Sequence, residues 1–424
     1  MNEASGARRF STVHRLDAVA EVATDQPAVT GGTPVRDEFL VFGQPLIEEE
    51  AIAEVVETLR SGWIGTGPKT RRLEELFADF MGMGHACALS SCTAGLQLGL
   101  EVLGVGPGDE VITTPMTFAA TGNVIVHCGA TPVFADIDRE SLLIDPDDLE
   151  RRITPRTRAL MPVHMAGRPC DMWRLREIAD EHGLPIIADS AHAIETLYHG
   201  RPVASLAEIS VNSFYVTKTM TTIEGGMLLT ENPEWAERVD LLRNHGLSRD
   251  AWKRYTVHGF QPYEVIYAGY KHNMTDVQAA LGLHQMTRIE DNLAVRERHW
   301  QAYRDGLGDL DCIGLPAEDP EPTNRHARHL FTILLDLDRL SLSRDDFAAA
   351  MHAENVGTGI HFSALHLNRF YRERFGFAEG DYPNAEWVGE RTLSLPMSAK
   401  LTDADVQDVI RAVRRVATAF RTES

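Results

Sequence analysis

Residues 211–230, VNSFYVTKTMTTIEGGMLLT, carry one lysine, Lys218, between an apolar strand-like run and a turn rich in Thr and Gly. The turn holds Thr221, Thr222, Glu224, Gly225 and Gly226, after which an apolar run resumes. A lysine in a strand–turn–strand connection is ordinarily a solvated surface charge. Its meaning depends on what the chain gathers at equivalent turns elsewhere.

The chain has 424 residues, too many for one ordinary core and enough for a large α/β domain with a smaller one. Apolar residues make up 43% and charged residues 24%, a globular balance. No apolar run approaches the roughly 20 residues of a bilayer span, and the start, MNEASGARRFSTVHRLD, lacks the apolar core of a secretory signal. The expectation is a soluble, cytoplasmic protein with no membrane partner. The five cysteines (Cys87, Cys92, Cys128, Cys170 and Cys312) are odd in number, scattered and without a CxxC pair, which argues against a disulfide framework and a zinc site. A net charge of −21 without a basic stripe argues against nucleic acid as a partner. An anionic ligand therefore needs a local set of donors.

Residues 1–36 are polar, of mixed charge, and read as a loose N-terminal extension ending near a Gly-Gly-Thr-Pro stop. Over 37–320 short apolar runs (HACALS, EVITTP, TPVFAD, RALMPVH, LPIIAD) alternate with stretches of helical spacing (TAGLQLGLEVLG, DMWRLREIADEHG). Unbroken apolar strands between helices predict a mostly parallel sheet covered on both faces, with ligands beyond the carboxyl ends of its strands. The stretch TDVQAALGLHQMTRIEDNLAVRERHWQAY reads as one long helix. Residues 321–424 change texture and read as a smaller C-terminal α+β domain.

At the carboxyl ends of these strands the sequence places a set of reactive groups. Ser91, Cys92, Thr93 and Ala94 open a helix, where free backbone N–H groups and the dipole favour a phosphate. Phe118 stands at a loop tip, able to stack on a flat ring. Asp189 ends its strand beside Ser190, Ala191 and His192, and a buried carboxylate there needs a cation or donor facing it. Ser213 and Lys218 follow the strand AEISVN. Pyridoxal 5'-phosphate answers all of these together. It uses a lysine for the Schiff base, an aspartate on the pyridine nitrogen, an aromatic against the ring, and hydroxyls with helix-end amides on the phosphate.

The motifs SCTAGL (91–96), PMTFAATGN (115–123), DSAHA (189–193), SFYVTKTMTTIEGG (213–226), YPNAE (382–386) and LSLPM (393–397) are long and ordered. From about residue 37 to 418 the chain resembles the sugar-nucleotide aminotransferases of the DegT/DnrJ/EryC1/StrS family. The resemblance implies the aspartate aminotransferase-like architecture, pyridoxal phosphate fold type I. Carried over by position, it implies Lys218 as the Schiff-base lysine, Asp189 on the pyridine nitrogen and Phe118 on the ring. It also implies His192 near the ring hydroxyl, and Cys92, Thr93 and Ser213 around the phosphate.

Two departures stand out. Cys92 replaces a common Gly, so its amide stays available while its side chain must point away from the phosphate. In GYKHNM (269–274) Lys271 replaces an Asn that in the family reaches the neighbouring subunit's phosphate, which implies a homodimer with shared active sites. That lysine, with SGWIGTGP (61–68), NHGLSRDAW (244–252) and GTGIHF (357–362), resembles members that aminate C4 of a nucleotide-linked, dTDP-type 4-keto-6-deoxyhexose with L-glutamate as donor. Trp63, Thr66 and His361 are the candidate substrate contacts. The C3-aminotransferases are the alternative, and a regulator that keeps the fold without turnover is the non-enzyme reading. Sugar 3-dehydratases of the family typically carry His at the position of Lys218, which argues against that activity. GVGPGDE (104–110) lacks the following helix and the G-x-x-G of a dinucleotide fingerprint, and reads as a turn.

Overall fold

The structure, a computed structural model, describes residues 26–248 and 264–422. Residues 1–25 of the extension, and 249–252 of the NHGLSRDAW stretch, lie outside the described residues.

The central sheet runs in the order His85–Leu89, Gly226–Thr230, Ile209–Ser213, Ile187–Asp189, Thr157–Leu160, Glu110–Thr113, Thr131–Phe134. Bridges between Leu160 and Ile186 and between Val163 and Asp189 join its two halves. Gly226–Thr230 is antiparallel to both neighbours, and the remaining pairings are parallel. Successive residues of these strands feed opposite faces, as a period of two requires. Ile209, Val211 and Leu228 pack with Leu96, Leu100, Val124 and Val239 on one face. Met227 and Leu229 pack with Leu73, Phe77 and Met81 on the other, while Leu160 meets Leu149, Leu175 and Ile178 on that side of the other half. Helices on both faces explain why the strands read as unbroken apolar runs. A Cβ added at Gly95 would lie 2.4 Å from Val211 Cγ1, so the helix Cys92–Val102 depends on that glycine to seat its first turn on the sheet.

A second sheet, Ile313–Gly314, Phe331–Leu335 and Thr392–Leu395, is antiparallel. It shares a core with the helices Arg344–Ala353 and Asp403–Ala419 through Phe331, Phe347, Leu393, Val409 and Val413. Trp300, Tyr303 and Leu307 belong to this core too, whereas Ile289, at the start of the same helix, packs in the large one. The helix Ile289–Leu307 thus runs from one core into the other.

Two expectations are corrected. The single long helix is two, Asp276–Met286 and Ile289–Leu307. Thr287 Oγ1 caps the His284 carbonyl, and Arg288 leaves helical geometry at φ −111°, ψ 0°. The extension is not loose where it is described. The fully buried Glu354 carboxylate accepts from the N–H groups of Ala28 and Val35, each at 2.8 Å, and pairs with Arg415 at 3.0 Å. Leu40 adds backbone bonds to Asn355 and Gly357.

Candidate active site

The first wall is the end of His85–Leu89 and the helix after it. Ser91 caps that helix, its Oγ accepting from Ala94 N–H at 3.1 Å. The amides of Cys92 and Thr93, at the positive end of the helix, have no carbonyl one turn back to bind. The Cys92 thiol donates to the Val211 carbonyl at 3.7 Å, so it turns into the sheet and leaves the amide face clear, as the sequence requires. Burial pushes that thiol well above its ordinary pKa, which keeps it protonated. Opposite, a Cβ at Gly226 would lie 2.5 Å from Cys92 N: only glycine lets the strand Gly226–Thr230 begin this close to the helix start. Ser213 ends its strand beside this cup, its Oγ accepting from Tyr215 N–H at 3.3 Å.

Lys218 sits on the turn that follows, its N–H bonded to the Tyr215 carbonyl at 2.9 Å. The side chain is half-buried. Burial draws its amine down to about 8, against the opposing pull of Cys92 and Asp189. Its charge is felt at Cys92, Asp189, His192 and His361, so these expected site residues converge on one amine.

Asp189 is buried at the end of Ile187–Asp189. Burial pushes its carboxyl up, while bonds from Thr121 Oγ1 at 2.8 Å and Ala191 N–H at 3.1 Å, with the Lys218 charge, pull it back. A buried carboxylate with one neutral donor on each oxygen and no ion-pair partner among the described residues suits a protonated ring nitrogen. His192 Nδ1 accepts from Ala166 N–H at 3.2 Å, which puts the proton of the neutral ring on Nε2. Burial, then Lys218, then the neighbouring histidines keep that ring well below its ordinary pKa. Phe118 caps the helix Ala119–His127 and is 63% exposed, its ring centroid 6.1 Å from that of Phe362. An aromatic face this open, one turn before the threonine that bonds Asp189, fits a flat heterocycle. Taken together, the amine, the carboxylate, the open ring and the free helix end match the donor set that pyridoxal phosphate requires.

At the rim, His361 Nδ1 bonds Ser394 Oγ at 2.9 Å, and burial lowers the imidazole to about 4. Thr66 Oγ1 donates to the Met274 carbonyl and accepts from Asn273 Nδ2, both at 2.5 Å, so the loop carrying the half-exposed Trp63 is tied to the segment after Lys271. Ser90 N–H bonds the His272 carbonyl at 2.7 Å, which runs that segment past the start of the cup. Lys271 itself is exposed, and the described residues of one subunit give it no side-chain partner. The sequence reading missed Thr121, although it lies within PMTFAATGN one turn after Phe118. It also missed His329, whose ring lies 4.6 Å from that of His192; nothing in its strand context HLFTILL marks it. A surface cleft of about 670 Å³ around Arg158 and Arg176 lies at the opposite, amino end of the sheet and holds none of this chemistry. No group of three or more His, Cys, Asp or Glu side chains among the described residues could hold a metal ion, and none of their helices is long and apolar enough to cross a membrane.

The pattern of the DegT/DnrJ/EryC1/StrS aminotransferase family matches residues 45–414. The spore coat polysaccharide biosynthesis protein SpsC of Bacillus subtilis is 46% identical over 382 residues, 90% of this chain and 98% of that protein. Spr1654 of Streptococcus pneumoniae, in its PLP form, superposes with a TM-score of 0.83 at 34% identity, covering 90% of this chain and 99% of that one. DesI, in the presence of its TDP-sugar product, superposes with a TM-score of 0.81 at 32% identity, covering 94% and 99%. On this match and this fold the chain belongs to the DegT/DnrJ/EryC1/StrS family, and it is a sugar aminotransferase that works with pyridoxal 5'-phosphate.

Proposed function

We propose that the chain transfers the amino group of L-glutamate to the C4 ketone of a nucleotide-linked 4-keto-6-deoxyhexose, with dTDP as the nucleotide, as a cytoplasmic homodimer. The observation that carries the reading is Lys218: a desolvated amine on the turn after Ile209–Ser213, near enough to the buried Asp189 at the end of the neighbouring parallel strand for each to feel the other's charge.

Bound pyridoxal phosphate supplies an aldehyde for the amine and an electron sink for the carbon that loses its proton. Lys218 holds the cofactor through Nζ at rest. Freed during turnover, the same nitrogen, whose pKa burial lowers, would take the α-proton of glutamate. In the second half-reaction it delivers a proton to the sugar carbon that receives the amine. Asp189 favours a proton on the ring nitrogen by charge, an electrostatic task and not a transfer. The amides of Cys92 and Thr93, with Ser213, would hold the phosphate, Phe118 would cover the ring, and His192 would offer its Nε2–H to the ring hydroxyl. His361, Trp63 and Thr66 meet the sugar nucleotide at the rim.

The C4 assignment is supported by the GYKHNM, SGWIGTGP and GTGIHF stretches and by the likeness to DesI, which was solved with a TDP-sugar product. The test is a panel of nucleotide 4-keto and 3-keto sugars offered with glutamate, scored by product mass and position of the amine. An amine at C4 supports the assignment. An amine at C3 replaces it with the C3 alternative, and no transfer to any sugar of the panel would overturn both assignments.

A further inference from the structure

Behind the lysine loop lies an ion pair that the reaction above does not use. Glu195 and Arg296 meet at 2.6 Å with side chains 0% and 3% exposed. Arg296 also donates to the Ala327 carbonyl, from Nε at 3.2 Å and from Nη2 at 3.1 Å. The Glu195 backbone carbonyl accepts from Arg325 Nε at 2.6 Å, so both ends of the acidic residue are fixed. Its second carboxylate oxygen accepts from Thr219 Oγ1 at 3.0 Å, and Thr219 follows Lys218 directly.

This one carboxylate joins three separate segments. Glu195 lies on the turn that carries Asp189 and His192, Thr219 on the lysine loop, and Arg296 midway along the helix that links the two cores. Burying a charge pair is costly, and apolar side chains of the same volume often serve packing as well or better. What packing does not explain is the contact to Thr219. Lys218 and Thr219 also line a small cavity of about 20 Å³ together with Gln285, Asn292, Arg296 and His329. A loop free to rock would let the amine swing into that cavity and away from Asp189.

We infer that Glu195, held by Arg296, is a positioning residue: through the Thr219 hydroxyl it fixes the lysine loop so that the Lys218 amine emerges on the Asp189 side. The inference rests on the reading of Lys218 as the residue that holds the cofactor. Condensation joins Lys218 Nζ to the aldehyde carbon of the cofactor and releases the aldehyde oxygen as one water. Its rate depends on how well the amine is aimed, whereas the phosphate cup determines how tightly the cofactor is held.

The experiment compares Thr219→Val, which keeps the shape and leaves the ion pair, with Thr219→Ser, which keeps the hydroxyl. Pyridoxal 5'-phosphate is added to each cofactor-free protein, and growth of the lysine-bound absorbance is followed by stopped flow. Borohydride reduction and peptide mass then locate the bond. We expect Thr219→Val to slow capture about tenfold and to lower kcat by a similar factor, with KM for the nucleotide sugar unchanged. Affinity for pyridoxamine 5'-phosphate, which has no aldehyde, should not move, and Thr219→Ser should behave as the wild type. Thr219→Ala, which removes the hydroxyl and leaves the ion pair, is the second variant should Thr219→Val not fold, and is expected to slow capture likewise. Capture by Thr219→Val at the wild-type rate would overturn the inference, as would equal slowing by Val and Ser. Either result leaves the wild-type bond on Lys218. A wild-type bond located on another residue would instead overturn the reading of Lys218 itself.

Discussion

Thr121 donates from Oγ1 to Asp189 Oδ2 at 2.8 Å, and the Thr117 hydroxyl lies 2.7 Å behind it. A chain of two hydroxyls therefore ties the strand-end carboxylate to the segment that presents Phe118. Burial pushes Asp189 up, and Thr121 is the strongest of the contacts that hold it ionised. Thr121→Val should raise the pKa of Asp189 and lower kcat/KM about tenfold, the effect of one charge-assisted hydrogen bond. Asp189→Asn should keep the cofactor and lose roughly a thousandfold in kcat, because an amide cannot hold a ring proton by charge. Steady-state kinetics beside cofactor absorbance checks both. Near-normal turnover of the Asn variant would remove Asp189 from the ring nitrogen.

Lys218 titrates at about 8 in the folded, cofactor-free protein and near its ordinary 10.5 when unfolded. The unfolded chain therefore binds more protons between those values, and stability from this group rises with pH across that window. Below pH 8 the buried charge is a standing cost. Lys218→Met should stabilise the cofactor-free protein at pH 7 by about 2 to 3 kcal/mol, a gain reduced by the part of the side chain that stays open to solvent. The gain should vanish toward pH 10.5, as urea titrations of both proteins at pH 7, 9 and 10.5 would record. A gain independent of pH would mean that the amine is not desolvated.

How much of this site was legible in the sequence depended on whether a residue's task is covalent or relational. Lys218, Asp189 and the SCTAGL turn could be read because imine chemistry, ring protonation and phosphate binding each need one residue type at a strand end. The sheet was legible because its strands are buried on both faces. The bond from Thr121 to Asp189 spans 68 positions and the pair of Glu195 with Arg296 spans 101, and only the folded topology makes either contact. The same reason hid Glu354, which sits at the end of a helix in the small domain and fastens the chain's opposite end.

Glu354 offers a test of that fastening. Its buried carboxylate collects the N–H groups of Ala28 and Val35 and the Arg415 guanidinium. Glu354→Ala removes an acceptor from two backbone amides and should cost about 2 to 4 kcal/mol, with Glu354→Gln costing less because one acceptor remains. Limited proteolysis should cut the Ala variant first within residues 26–40, ahead of any cut in the sheet. Simultaneous cutting everywhere would show that the segment and the small domain open together.

Lys271 provides the test of shared active sites. Within one subunit it is exposed and without a side-chain partner among the described residues, although its segment is held firmly by the bond from Ser90 N–H to the His272 carbonyl. A cation on a rigid segment next to a phosphate cup is well placed to serve the cup of a second copy. If it does, Lys271→Ala should weaken cofactor binding by about 1.5 to 3 kcal/mol, read from equilibrium dialysis of pyridoxal phosphate. Mixing inactive Lys218→Ala subunits with inactive Lys271→Glu subunits should then restore activity. In each heterodimer one site takes Lys218 from the second kind of subunit and Lys271 from the first, so that site is native at both positions. The recovered activity should approach one quarter of wild type, since random exchange makes about half the dimers mixed and each mixed dimer carries one working site of two. No recovery after subunit exchange has been verified by mass would mean that Lys271 serves its own subunit or only solvent.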